Sequence, residues 1–317
     1  MNDITIFDTA IASDNIGDEI IMDAVNKHLL EVFPSANFLH FPTHIELNCA
    51  QLKIAQKSEK SFVGGTNLLC GNWLLKPQWK VGLRELFYIK NPILLGVGWR
   101  FYQRPTDFLT KIYLKKLLSK KYIHSVRDAY TLARVQEMGI KNVINTACPT
   151  MWKLTPEHCA QIPSQKASSV MITVTAYRNA PEIDRKWLEI VLANYEQIYL
   201  FPQMMGDAQY VQNMKLGREI EVISPTLAAY DQILARENLD YIGTRLHGGI
   251  RALQHGRRSL IIEVDNRATE IARDTNLPTV KRDDFAAVKH WIENDSPTII
   301  NLPLAEIARW KAQFTQE

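Results

Sequence analysis

Several features that would settle the class of this protein at once are scarce or missing. Its 317 residues hold only four cysteines, Cys49, Cys70, Cys148 and Cys159. None forms a C-x-x-C pair and none stands at zinc-finger spacing from histidine, so neither a disulfide scaffold nor a zinc module is indicated. The plain reading is four reduced, mostly buried thiols in a cytosolic protein. Charge of one sign is scarce too. The formal net charge is +3, well short of the basic excess of a nucleic-acid binder. No apolar run reaches the ~18 residues that a membrane-spanning helix requires. The opening MNDITIFDTA lacks a basic segment followed by an apolar one, so no signal peptide is expected. No metal-ligand cluster stands out, and no metal or cofactor is expected.

What is there is ordinary globular composition, 46% hydrophobic and 22% charged, enough to build a full core in each of two domains. Short Val- and Ile-rich runs alternate with stretches of helical period. ITIF reads as a strand, and GDEIIMDAVNKHLLEVF as a helix with Ile20, Ile21, Ala24, Val25, His28 and Leu29 on one face. NFLHF, SFVGG, PILLGVG, YIHSV and KNVINT read as further strands, with helices over 106–119 and DAYTLARVQEMGI. The stretch TPEHCAQIPSQKASS has two prolines and little apolar periodicity, and reads as a connection. The alternation then restarts with SVMITVTA and continues through QIYLFPQ, EIEVIS, LDYIG and SLIIEV. Strands separated by helices in this rhythm predict parallel βαβ units. The expected architecture is two doubly wound α/β domains, 1–160 and 161–317, facing across a cleft, with the last helix packed back on the first. Ligands of such folds bind beyond the carboxyl ends of the strands.

The strongest candidate site is the turn in DYIGTRLHGGIRALQHG. A helix start leaves N–H groups unpaired and favours anions. Arg245 adds a forked donor suited to carboxylate or phosphate. Leu246 opens the helix, Gly248 and Gly249 remove side chains where a ligand would meet the backbone, and His247 can move a proton near neutral pH. The competing reading pairs Arg245 with a nearby acid and packs His247 as a polar core residue. In IASDNIGDEI, Asn15, Gly17 and Asp18 stand at the entry to the first helix. Asp18 is either a helix cap or a base toward an acceptor hydroxyl. Gly64 and Gly65 in FVGGTNLL end a strand without the G-K-[ST] of a P-loop, and would let a ligand approach the backbone. Arg127 is a second anion clamp or the ion-pair partner of Asp128. Arg178 in YRNAP is a basic loop residue after the first strand of the second half, or simply solvated. KIYLKKLLSKK carries Lys111, Lys115, Lys116, Lys120 and Lys121 among apolar residues, which fits a solvated helix face or contact with anionic lipid.

Taken in order, DNIGDEII, GGTNLL, SVRDAYT and GTRLHGGIRALQHGRRSLIIEVDNRATEIA resemble the polysaccharide pyruvyl transferase family across nearly the whole chain. The R-L-H turn is the most specific part. The resemblance implies two Rossmann-like domains similar to the B-type glycosyltransferase fold, with the acceptor on the N-terminal side and the donor on the C-terminal side. It implies transfer of a pyruvyl group from phosphoenolpyruvate to two sugar hydroxyls, forming a pyruvate ketal in bacterial surface polysaccharide synthesis. Arg245 and Arg127 would then bind the donor anion, with His247 as general acid and Asp18 assisting at the acceptor hydroxyl. The expected partners are phosphoenolpyruvate and a sugar or lipid-linked oligosaccharide, with no nucleic acid. A cytoplasmic location, peripheral contact with the inner face of the membrane and self-association are all compatible with the sequence. Two departures stand out: Thr66 where the family often has a third glycine, and NTACPTMW where it often has an Asp-Pro-Ala type segment. The rival readings are a B-type glycosyltransferase using a nucleotide sugar and a non-catalytic glycan-assembly protein.

Overall fold

The computed structural model describes residues 2–73, 77–103, 105–236 and 238–315. The chain forms two compact units. The first takes the chain through Ser13, Ile21–Trp152 and the chain from Leu302 onward; the second takes Asp14–Ile20 and Lys153–Asn301.

In the first unit the strands are β1 (Asp3–Asp8), β2 (Asn37–Pro42), β3 (Lys60–Gly64), β4 (Ile93–Leu95), β5 (His124–Val126) and β6 (Val143–Asn145). They run parallel in the order β2-β1-β3-β4, with β5-β6 as a second parallel pair. Gly96 N–H donates to Ser125 O at 3.0 Å and ties β4 to β5. The helix Ile16–Val32 buries Ile20, Ile21, Ala24, Val25 and Leu29, the face its spacing predicts. The helix Leu304–Ala312 belongs to this unit, where Trp310 and Phe314 pack edge-on against Phe62.

The second unit is built on β7 (Ser169–Thr173), β8 (Gln197–Leu200), β9 (Glu221–Val222), β10 (Leu239–Gly243), β11 (Ser259–Glu263) and β12 (Thr279–Lys281). All are parallel, in the order β12-β11-β10-β7-β8-β9. β7 and β10 are adjacent in space, but the chain leaves them in opposite directions. This is the topological switch point, where the connections part and leave a crevice at the carboxyl ends. Strands buried on both faces read as near-continuous apolar runs, which is why SVMIT and SLIIE were legible as strands.

Helix starts are mostly capped by side chains. Asp107 accepts from Thr110 N, Asp128 from Thr131 N, Thr226 from Ala229 N and Asp284 from Ala287 N. Each satisfies an N–H that the helix cannot reach. The helix Leu246–Gln254 is an exception: Arg245 holds the cap position and makes no capping hydrogen bond.

Candidate functional site

The start of the Leu246–Gln254 helix lies at the switch point of the second unit. Thr173 ends β7 opposite Gly243, the last residue of β10. Thr244 N–H donates to Thr173 O at 3.0 Å, and the Thr175 and Thr244 hydroxyls lie 2.8 Å apart. Tyr241 OH is 2.5 Å from Thr173 Oγ1 and donates to Arg245 O at 2.7 Å. Burial raises the Tyr241 phenol well above its ordinary value, so it stays a neutral donor. The turn is thus pinned from below by a hydroxyl chain, and the helix begins in a fixed place.

Arg245 is 4% exposed. One guanidinium nitrogen, Nη2, donates to both carboxylate oxygens of Asp207, at 2.7 and 2.6 Å. Nε donates to Val174 O at 2.8 Å, and the Tyr177 ring lies 5.1 Å away. Asp207 also accepts from Ala176 N and Met204 N, both at 3.1 Å. Burial pushes the Asp207 carboxyl up from its ordinary value, against the pull of Arg245 and those two N–H groups. The acid partner weighed for Arg245 is therefore present. Only Nη1, with Met204 Sδ at 4.0 Å, is not engaged by an oxygen.

Beyond Arg245 the first helical turn is buried. Leu246 and His247 are 7% and 5% exposed. Gly249 N–H is the first to bond back along the helix, to Arg245 O at 3.0 Å. The two glycines differ in duty. A Cβ on Gly249 would overlap Ile261 of β11, so this glycine sets helix-to-sheet packing. A Cβ on Gly248 would stand 3.0 Å from Gln203 Oε1 and 3.1 Å from Tyr241 OH.

Gln203, which local spacing does not reveal, joins the turn to the 14–18 loop. Its Nε2 donates to Asn15 Oδ1 at 3.1 Å and its carbonyl accepts from Ile16 N at 3.0 Å. Its Oε1 is buried without a hydrogen-bond donor. Asn15 Oδ1 also accepts from Gly17 N at 3.1 Å, and an added Cβ on Gly17 would meet the Gln203 amide. Asn15, rather than Asp18, therefore precedes and caps this helix. Asp18 lies in its first turn, 6% exposed, with its N–H on Asn15 O at 2.9 Å. Asn15, Gly17 and Gly248 thus meet around Gln203. Arg178 does not join them: its side chain is exposed, and its carbonyl accepts from Arg282 at 2.6 Å.

In the first unit, Arg127 is 1% exposed, donates to Asn67 Oδ1 through Nη2 and to Asp128 Oδ2 at 3.2 Å through Nε. Its Nη1 is buried without an acceptor. The ion pair with Asp128 is thus present, and one guanidinium nitrogen, Nη1, is left over. The Gly64 and Gly65 positions have a packing reason of their own, because added Cβ atoms would strike Met22 and Ile21 of the first helix. Gly65 and Thr66 both have positive φ, +57° and +50°, so the residue standing where the family often has glycine is itself in the left-handed region. The other departure is a packing element: Pro149 fills the space beside Gly96, and Cys148 is buried with Thr150 Oγ1 at 3.1 Å from its Sγ. Burial raises the Cys148 thiol above its ordinary value.

Comparison with known proteins adds family and fold. The family model for polysaccharide pyruvyl transferase matches residues 15–266. No curated protein matches the chain. Among solved structures, S. aureus MnaA in complex with UDP superposes with a TM-score of 0.58 at 12% identity, covering 100% of this chain and 98% of that one. UDP-GlcNAc 2-epimerase from Methanocaldococcus jannaschii gives 0.57 at 10% identity, with 95% of each chain covered. At such identities the likeness is one of fold, the mixed α/β, parallel-sheet, B-type glycosyltransferase-like fold. The chain belongs to the polysaccharide pyruvyl transferase family.

Proposed function

We propose that the chain transfers a pyruvyl group from phosphoenolpyruvate to two hydroxyls of a sugar, closing a cyclic ketal. The observation that carries this reading is the buried start of the Leu246–Gln254 helix, capped by a cation instead of a side-chain acceptor. Such a start sets the positive end of a helix dipole beside a guanidinium with no side-chain acceptor capping it, which suits a phosphate or carboxylate. Arg245 Nη1 adds a donor beside it. The Asp207 pair fixes the guanidinium and cancels much of its charge, so the helix dipole carries more of the anion binding than residue type alone implies.

In this reading the first sugar hydroxyl adds to C2 of the donor while His247 delivers a proton to the methylene carbon, C3. Asp18 accepts the hydroxyl proton. Phosphate then leaves with the C2–O bond electrons, and the second hydroxyl attacks C2 and loses its proton to close the ketal. No step needs a cofactor. The acceptor is a sugar or a lipid-linked oligosaccharide, and the chemistry belongs to bacterial surface polysaccharide assembly in the cytoplasm.

The deciding experiment is incubation with phosphoenolpyruvate and a panel of candidate glycans, read by mass spectrometry. A product carrying a pyruvate ketal, with release of inorganic phosphate, supports the reading. Glycosyl transfer from a nucleotide sugar, with no ketal formed, replaces it by the glycosyltransferase reading. No turnover with either donor in a folded protein points to a non-catalytic assembly role. Replacing His247 by Ala is expected to abolish ketal formation while leaving the melting temperature near that of the wild type; near-normal turnover would remove His247 as the acid.

A further inference from the structure

The helix Phe108–Leu117 turns Thr110, Tyr113, Leu114 and Leu117 into the first unit. Its opposite face is not the polar surface expected of a solvated helix. Phe108 is 73% exposed, Leu109 60% and Ile112 49%. Phe108, Ile112, Lys115 and Lys116 stand at i, i+4, i+7 and i+8, so one outward stripe passes from apolar to basic. Lys115 and Lys116 are exposed, as are Lys120 and Lys121 just beyond the helix. Lys116, Lys120 and Lys121 line a cavity of about 490 Å³ together with Lys60 and Lys90. Among the described residues that line it there is one carboxylate, Glu59, which lies 2.7 Å from Lys60. The whole chain has a net charge of only +3, so this is a local concentration of charge. Tyr113 holds the helix to the neighbouring 81–82 segment, its OH reaching Val81 O at 2.9 Å and Gly82 O at 2.8 Å.

We infer that this face docks on a bilayer rich in anionic phospholipid. Phe108, Leu109 and Ile112 enter the boundary between headgroups and acyl chains, and the lysine-ringed cavity takes a phosphate headgroup. Charge complementarity selects this occupant. A nucleic acid satisfies the lysines but leaves the three large apolar side chains in water. A second copy of the chain, meeting itself through this face, sets the same lysine ring against its own image. None of these residues belongs to the proposed catalytic or donor-binding set, so the inference stands or falls apart from the donor chemistry.

The test is co-sedimentation of the full chain with vesicles of phosphatidylcholine alone and of phosphatidylcholine mixed with phosphatidylglycerol, at low and high salt. The expected result is pelleting with the mixed vesicles only, weakening as salt rises. Lys116→Glu with Lys120→Glu should lower partitioning at least about tenfold, since each basic residue near an anionic surface is worth roughly fivefold. Phe108→Ser with Leu109→Ser should lower it too while keeping the salt dependence. All four positions are exposed, and circular dichroism with a thermal melt verifies that the variants fold. Absence of wild-type pelleting with anionic vesicles overturns the inference. So does unchanged pelleting of the folded charge-reversal variant, or binding to single-stranded RNA without binding to vesicles.

Discussion

An amide oxygen buried without a donor, as Gln203 Oε1 is, costs on the order of 1–3 kcal/mol unless something binds it. In the ligand-free protein Gln203→Leu relieves this cost but also loses the Nε2 bond to Asn15 Oδ1, so the melting temperature should change little. If the oxygen accepts from a ligand hydroxyl or a protonated phosphate, the same variant should weaken phosphoenolpyruvate binding by about tenfold, as losing one hydrogen bond of that size implies. An unchanged Kd by calorimetry sinks the role. The two glycines separate packing from binding in a similar way. Gly249→Ala forces a Cβ into Ile261 and should cost about 1–3 kcal/mol in chemical denaturation. Gly248→Ala presses instead on the Gln203 amide and should register mainly in donor affinity. Equal effects of both on stability would show that the distinction is wrong. Arg245→Lys loses the guanidinium bond from Nη2 to both Asp207 oxygens, and should lower stability as well as donor binding.

At the scale of elements, His124 joins two strands through its ring. Leu94 N–H donates to Nδ1 at 3.1 Å, and Nε2 lies 2.8 Å from Ser119 O. The neutral ring with its proton on Nε2 satisfies both contacts, and a second proton on Nδ1 breaks the first. Burial lowers the His124 pKa from 6.5 to about 4. The folded value lies below the unfolded one, so the unfolded chain takes the proton first as pH falls. The contribution is complete above pH 6.5 and is lost progressively toward pH 4, by roughly 3 kcal/mol in all. Urea midpoints measured across that window should fall with pH, and a folded His124→Asn variant should have a flatter profile. The strands and the first helix were legible because their periods are local: Ile20, Ile21, Ala24, Val25 and Leu29 need no partner to be read as one face. The limits of short strands were not. EIEVIS supplies only Glu221–Val222 to the sheet, and TVK, too short to show a period, forms β12 beside β11. Edge strands of two or three residues owe their existence to the neighbour they bond, which periodicity does not encode.

For the whole molecule, the candidate site was legible in the turn and hidden in its surroundings. Arg245, His247 and Gly248 announce themselves at a strand end. Asp207 and Gln203 are 38 and 45 residues away from Arg245 and Gly248, and nothing local marks them. Only the parallel order that sets β7 beside β10 brings the loop after β8 to the same crevice. Ligand linkage offers a global check. Phosphoenolpyruvate at 100 times its Kd should stabilise the protein by about 2.7 kcal/mol, visible as a rise in melting temperature. A rise with a UDP-sugar and none with phosphoenolpyruvate would favour the nucleotide-sugar reading.

The Arg245–Asp207 pair has a kinetic consequence. With opposite charges 2.6 Å apart, the pair projects a dipole, whose field fades with distance faster than that of a lone cation. On the phosphoenolpyruvate reading, an approaching anion is then drawn in only over the last few ångströms, inside the screening length of physiological salt, about 8 Å. Stopped-flow association rates for phosphoenolpyruvate should therefore change little as salt is raised. In a folded Asp207→Asn variant, where the guanidinium keeps its full charge, the same rates should become faster and steeply salt-dependent.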